Sequence, residues 1–186
     1  MRRFGISILA ALSVCVLPPA AFGQAVPGRV DVDGTVETRC LFTSDDPAVL
    51  NIGQMIFTTG ANGTVGHLDP STLTSRTATL NGWCNGSASQ MSVQAAPLLN
   101  VDFAGAPPAG FDRQVDYTAT ATAEISANPV AVSDSTATAS GSAGATVGIF
   151  RSSIVVRFAS AATPSGGRLV AGNYTGSVVV TLAPTL

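Results

Sequence analysis

A single histidine, His67, is the only side chain in this sequence of 186 residues whose ordinary pKa lies near neutrality. It stands in Val65-Gly66-His67-Leu68-Asp69-Pro70, so a Ser-His-acid nucleophile system would have to be built on it, with Asp69 as the orienting acid. No Gly-x-Ser-x-Gly turn accompanies it, and the expectation is an exposed loop histidine without a chemical role. Glycoside hydrolysis needs a pair of carboxylates, but the 11 Asp and Glu residues fall on polar strand faces and turns, where solvated charges sit. Asp31-Val32-Asp33-Gly34 resembles the opening of a calcium loop, yet a third acidic ligand and a terminal Glu at loop spacing are missing. Strand alternation accounts for it better. Asn62-Gly63-Thr64, Asn85-Gly86-Ser87 and Asn173-Tyr174-Thr175 match the N-glycosylation pattern, which also recurs by chance in a chain rich in Ser and Thr. Trp83 beside Cys84 is a sugar-stacking platform if exposed and a core residue if packed on a bridge. The residues predict no catalytic group, no metal and no cofactor.

The cysteines are better placed. Met1-Arg2-Arg3, the apolar run Ile6 to Leu17 and the small residues of Pro18-Pro19-Ala20-Ala21-Phe22-Gly23 form a secretory signal pattern. The run is shorter than the roughly 20 apolar residues that a spanning helix needs. Cleavage fits best after Gly23, with the bond after Ala25 as the alternative. Cys15 leaves with that segment, so Cys40 and Cys84 stay behind in an oxidising compartment, where a bridge is expected. Two buried free thiols are the alternative. Loss of Arg2 and Arg3 takes the formal charge from −2 to −4.

Composition narrows the class. All nine basic residues are Arg, which leaves no basic surface for a phosphate backbone and excludes nucleic acid as a partner. Charged residues make up 11% and aromatic residues 6%, but 48 of 186 residues are Leu, Ile, Val or Phe, enough to bury a core.

Those residues recur with period two. From Arg29 to Cys40, Val30, Val32, Val36 and Cys40 take even positions and Arg29, Asp31, Asp33, Glu37 and Arg39 odd ones, which predicts a half-buried strand with Gly34 as a break. The alternation reaches back to Val26. Further strands are expected over Val49 to Thr58, Thr77 to Cys84, Ser89 to Ala96, Phe150 to Phe158 and Tyr174 to Leu182, with Asn85-Gly86 as a hairpin turn. Thr59 to Ser71 and Pro97 to Gly110 read as loops. The Ala-, Thr-, Ser- and Gly-rich stretch from Tyr117 to Gly148 suits two weak strands around Asn128-Pro129 and is expected to be the least stable part. No useful helical period follows the signal, so an all-β sandwich of about seven or eight strands is predicted.

Four stretches carry a family likeness: Val30-Asp31-Val32-Asp33-Gly34-Thr35-Val36-Glu37-Thr38-Arg39-Cys40, Leu50-Asn51-Ile52-Gly53, Thr79-Leu80-Asn81-Gly82-Trp83-Cys84, and the run from Leu169 to Leu182. Together they resemble bacterial pilins of the chaperone-usher pathway, in particular the archaic branch with its spore coat protein U domain. The resemblance covers the mature ends and the cysteine frame, and hardly touches Pro97 to Gly148. It implies an incomplete, pilin-type immunoglobulin-like sandwich over 37–186, preceded by a donor extension over 24–36. A periplasmic chaperone first fills the groove of such a domain, and the extension of a neighbouring subunit fills it later. On that likeness Val26, Val30 and Val32 are donor residues, and Tyr174, Val178, Val180 and Leu182 line the groove edge. The implied product is a non-enzymatic subunit of a surface fimbria, exported through the periplasm and an outer-membrane usher, with a host or abiotic surface as the fibre's target. A self-contained secreted sandwich that binds carbohydrate through an exposed Trp83 or Tyr117 is the alternative.

Overall fold

The computed structural model describes residues 27–43, 48–61, 63–125, 128–138 and 141–185. The signal segment, both cleavage positions and Val26 lie outside the described residues. The chain divides into one unit ending at Thr35 and a second from Val36 to Leu186. In the first, residues 27–35 belong to no strand, Val30 and Val32 are 86% and 88% exposed, and Arg29 pairs with Asp31 at 2.7 Å. The strand predicted over 29–40 is therefore present only at its last residue. Alternation specifies an apolar face, but a strand exists only where a neighbour accepts its backbone hydrogen bonds.

The second unit is an all-β sandwich with ten strands among its described residues, three of them two residues long. In chain order they are β1 (Cys40–Phe42), β2 (Thr77–Cys84), β3 (Gln90–Asn100), β4 (Phe111–Asp112), β5 (Gln114–Ala123), β6 (Val130–Ser135), β7 (Ala145–Thr146), β8 (Phe150–Ala162), β9 (Arg168–Leu169) and β10 (Tyr174–Ala183). The main path runs β1-β2-β8-β5-β3-β10, with β6 added to β5 and β7 to β3. β5 joins the layers: Gln114 and Val115 pair with β3, whereas Asp116 to Ala123 pair with β8. All of these pairs are antiparallel. A separate parallel bridge of β4 with β9 holds the turn at Asp112.

β5 lies in the stretch expected to be weakest. Thr118, Thr120 and Thr122 alternate with Ala119, Ala121 and Ala123, and the three alanines are fully buried. Small side chains there let the strand sit mid-sheet among Ile154, Val156 and Val132.

Two local expectations are corrected. Asn85-Gly86 is not a hairpin turn, because β2 pairs with β1 and β8 while β3 pairs in the other layer. Asn85 instead donates to the Glu37 carbonyl and accepts from the Arg39 N–H, anchoring the chain ahead of β1. The strand expected over Val49 to Thr58 is reduced to one bridge, Ile56 with Leu68: Gly53 turns the chain at φ 76° and the Asn51 side chain accepts its N–H. Between these, Ser71–Thr74 form a single helical turn, α1, preceded by a turn in which the Asp69 side chain accepts from the Ser71 N–H and hydroxyl. It buries Leu73.

Candidate functional site

An apolar groove of about 430 Å³ runs along β10. Gly176 to Val180 form one wall, Ala78 and Leu80 of β2 the other, and Leu50 and Ile52 lie on its rim. Its floor is Leu98, Tyr117, Val156 and Phe158. The reason for the opening lies in the burial of β10. Its inward residues Tyr174, Val178 and Leu182 are only half-buried and Val180 alone is buried, whereas Phe150, Ile154 and Val156 of β8 are all buried.

The two edges nearest this layer are treated differently. β3 bonds β10 on one side; on the other it pairs with β7 at Gln90 and Met91 and with β5 at Leu98 and Leu99. In the gap between, side chains stand in for a strand. Ser142 Oγ accepts from the Val93 N–H and donates to the Val93 carbonyl, each at 2.7 Å, and Asp134 accepts from the Ala95 N–H at 2.7 Å. Pro97 contributes no N–H at all. A second, more polar cavity of about 380 Å³ borders this closed edge. The other edge of β10 is free: among the described residues, no backbone N–H of Gly176 to Thr181 bonds to anything outside the β3 ladder, and the one side-chain partner is on the β3 side, at the Ser177 carbonyl.

That partner is Tyr117. Its ring meets Phe158 edge-on at a centroid distance of 5.7 Å, and its hydroxyl donates to the Ala96 carbonyl at 2.6 Å, with the Ser177 carbonyl at 3.3 Å. Burial, with the Asp134 carboxylate adding to it, pushes the phenol up to about 12. Tyr117 is 3% exposed and offers no face to a sugar.

Of the residues expected at the groove edge, Val178 and Val180 line the groove. Leu182 packs on Gly82 beyond its end, where a Cβ would meet the leucine at 3.0 Å. Tyr174 lies outside the lining and donates to the Val170 carbonyl at 2.7 Å. Of the expected donors, Val30 and Val32 are described and exposed. Cys40 and Cys84 are bridged, facing each other in register on β1 and β2. Trp83, one residue on, points to the opposite face and is half-buried between Leu41 and Arg151, so it does not pack on the bridge. The Asn173 side chain is bonded to Asp102 at 2.8 Å and Asn85 is engaged as above. His67 forms a bridge through its backbone with Arg168. Among the described residues no group of three His, Cys, Asp or Glu is placed to hold a metal ion, and no helix is long and apolar enough to cross a membrane. Sequence reasoning passed over Tyr117 and Gly176 as groove residues; a Tyr opening an Ala/Thr alternation was the available signal for the first.

Comparison with protein-family models, curated proteins and solved structures gives no match.

Proposed function

We propose that this chain is a non-enzymatic structural subunit that is completed by a strand from another chain and polymerises into a surface fimbria. The observation that carries the reading is the contrast between the two edges: Ser142, Asp134 and Pro97 seal β3, while β10 keeps a free edge beside an apolar groove. Strand addition supplies what such an edge lacks, backbone hydrogen bonds along the strand and alternate side chains in the groove.

The occupant in the finished fibre is residues 24–36 of a second copy. That segment puts Val26, Val30, Val32 and Val36 on one face, with Gly28 and Gly34 between them, and Arg29, Asp31, Asp33 and Thr35 on the other. Val30 and Val32 are exposed and free to be buried elsewhere. Before assembly the same groove is an aggregation hazard, which calls for a periplasmic chaperone to cover it and an usher to exchange the chaperone for the neighbour. The disulfide suits an oxidising compartment and export.

The test uses the mature chain and a labelled peptide spanning Gln24 to Glu37. Saturable binding and a rise in melting temperature are expected, with neither seen for a peptide carrying Asp in place of Val30 and Val32. A stable monomer indifferent to the peptide overturns the reading.

A further inference from the structure

We infer that the outer face of β2, β8 and β5 binds an acidic polysaccharide whose carboxylates are set apart by neutral sugars, with a ring stacked on Trp83 and carboxylates paired to Arg151 and Arg157. The face lies on the side of these strands away from the groove. Ala78, Leu80 and Val156 line the groove, so the alternate residues Thr79, Asn81, Val155 and Arg157 point outward. Register sets the outward residues in rows. Thr77, Arg157, Thr120 and Ser133 stand opposite one another in the first, Thr79, Val155 and Thr122 in the second, and Asn81 meets Ser153 in the third. The fourth row is Leu41, Trp83 and Arg151.

The chemistry of these rows favours a sugar polymer over a protein. Apart from Val155, the first three rows present hydroxyls, an amide and a guanidinium, with the Thr120 and Ser133 hydroxyls 2.7 Å apart and the Ser153 hydroxyl donating to Asn81 at 3.0 Å. A protein interface is built around an apolar centre, which these rows lack, whereas sugar hydroxyls both donate to and accept from such groups. Half-buried Trp83 adds an apolar ring at one end. Charge narrows the polymer. Arg29 pairs with Asp31, and Arg76, Arg113 and Arg168 donate to backbone carbonyls. Arg151 and Arg157 are exposed and, among the described residues, have no salt-bridge or hydrogen-bond partner. At the rise of a strand they stand about 20 Å apart along β8, so each meets a different carboxylate. Exposed Glu124, whose N–H donates to the Ser153 carbonyl, borders the same face and repels an unbroken polyanion. The groove and this face are on opposite sides of the layer, so strand addition leaves the face open, and a fibre would repeat it and multiply weak single contacts.

Trp83 is the chain's single tryptophan, so its fluorescence reports on this face directly. The full mature chain is titrated with three oligosaccharides of equal length: alternating glucuronate and N-acetylglucosamine, N-acetylglucosamine alone, and galacturonate alone. A saturable fluorescence change is expected with the alternating chain, with at least tenfold weaker binding of the neutral one and weaker binding of the wholly acidic one. Arg151→Gln and Arg157→Gln should each weaken binding at least fivefold and leave the melting temperature unchanged. The inference is overturned by an unresponsive Trp83, by equal binding of the neutral chain, by tighter binding of the wholly acidic chain, or by variants that bind like the wild type. Should one variant fail to fold, the other decides. Binding of the peptide spanning Gln24 to Glu37 is measured on the same samples and is expected to be the same for wild type and variants, so strand addition and glycan binding stand or fall separately.

Discussion

Cys40 and Cys84 are directly opposed residues of neighbouring antiparallel strands, bonded through their sulfurs with Cα atoms 4.2 Å apart. The bridge ties β1, only three residues long, to the body of the sheet. Because it closes a span of 44 residues, its loss removes a large restriction on the unfolded chain. Cys40→Ala with Cys84→Ala is expected to lower stability by about 2–4 kcal/mol, read as a drop in denaturation midpoint. Reduction of the wild type with dithiothreitol should give the same change.

Tyr117 should titrate late. Burial raises the phenol to about 12, against about 10 for a free tyrosine. The unfolded chain therefore loses this proton first. Stability from Tyr117 is fully present below about pH 10 and is lost as pH rises towards 12. In a Tyr174→Phe background, phenolate absorbance should rise near pH 12 or together with unfolding; a rise near pH 10 in the folded protein contradicts the burial.

Asp112 gives the opposite dependence. Burial disfavours its charge, but hydrogen bonds from the Ser165 hydroxyl and the Gly167 N–H, with smaller ones from Thr163 and the Ser165 N–H, hold it below the ordinary carboxylate range. The Ser165 hydroxyl lies at 2.7 Å and the Gly167 N–H at 2.8 Å. A depressed folded value adds stability above an unfolded pKa of about 3.9 and loses it as pH falls through the folded value. Asp112→Asn is expected to be less stable at pH 7 and to show a flatter acid limb, measured by urea midpoints across pH 2 to 7.

The sealed edge of β3 can be opened. Ser142→Ala removes the partner of the Val93 N–H and leaves the Val93 carbonyl only the Ser142 backbone N–H, and Asp134→Ala frees the Ala95 N–H. Each variant should cost about 1–3 kcal/mol. The pair should also self-associate through β3, seen as a rise in sedimentation coefficient that the peptide spanning Gln24 to Glu37 does not reverse.

Much of the strand content was legible, because period-two patterning is a local property. Thr77 to Cys84, Phe150 to Phe158 and Tyr174 to Leu182 appear close to their predicted bounds as β2, β8 and β10, β8 running on to Ala162 and β10 to Ala183. The alternating Thr and Ala of β5 were also visible, but not that buried alanines would place this strand mid-sheet. Asn85-Gly86 misled for a related reason. A turn dipeptide sets local backbone geometry, whereas which strands pair depends on residues far along the chain, here Phe150 to Arg157 for β2.

The sequence by itself determined that the chain is all-β, that Cys40 and Cys84 are the pair available for a bridge, and that its first valines and its last strand each carry one apolar face. Tertiary structure decided which edges are closed. Ser142 reaches Val93 across 49 residues and Asp134 reaches Ala95 across 39, contacts that no local pattern encodes. It also set the groove beside Val178 and Val180 and the Tyr117 hydroxyl beneath Ser177, which lies 60 residues away. Side-chain period follows from the pleat of a single strand, but an unfilled edge is a property of the whole sheet, present only once every other strand has found its partner.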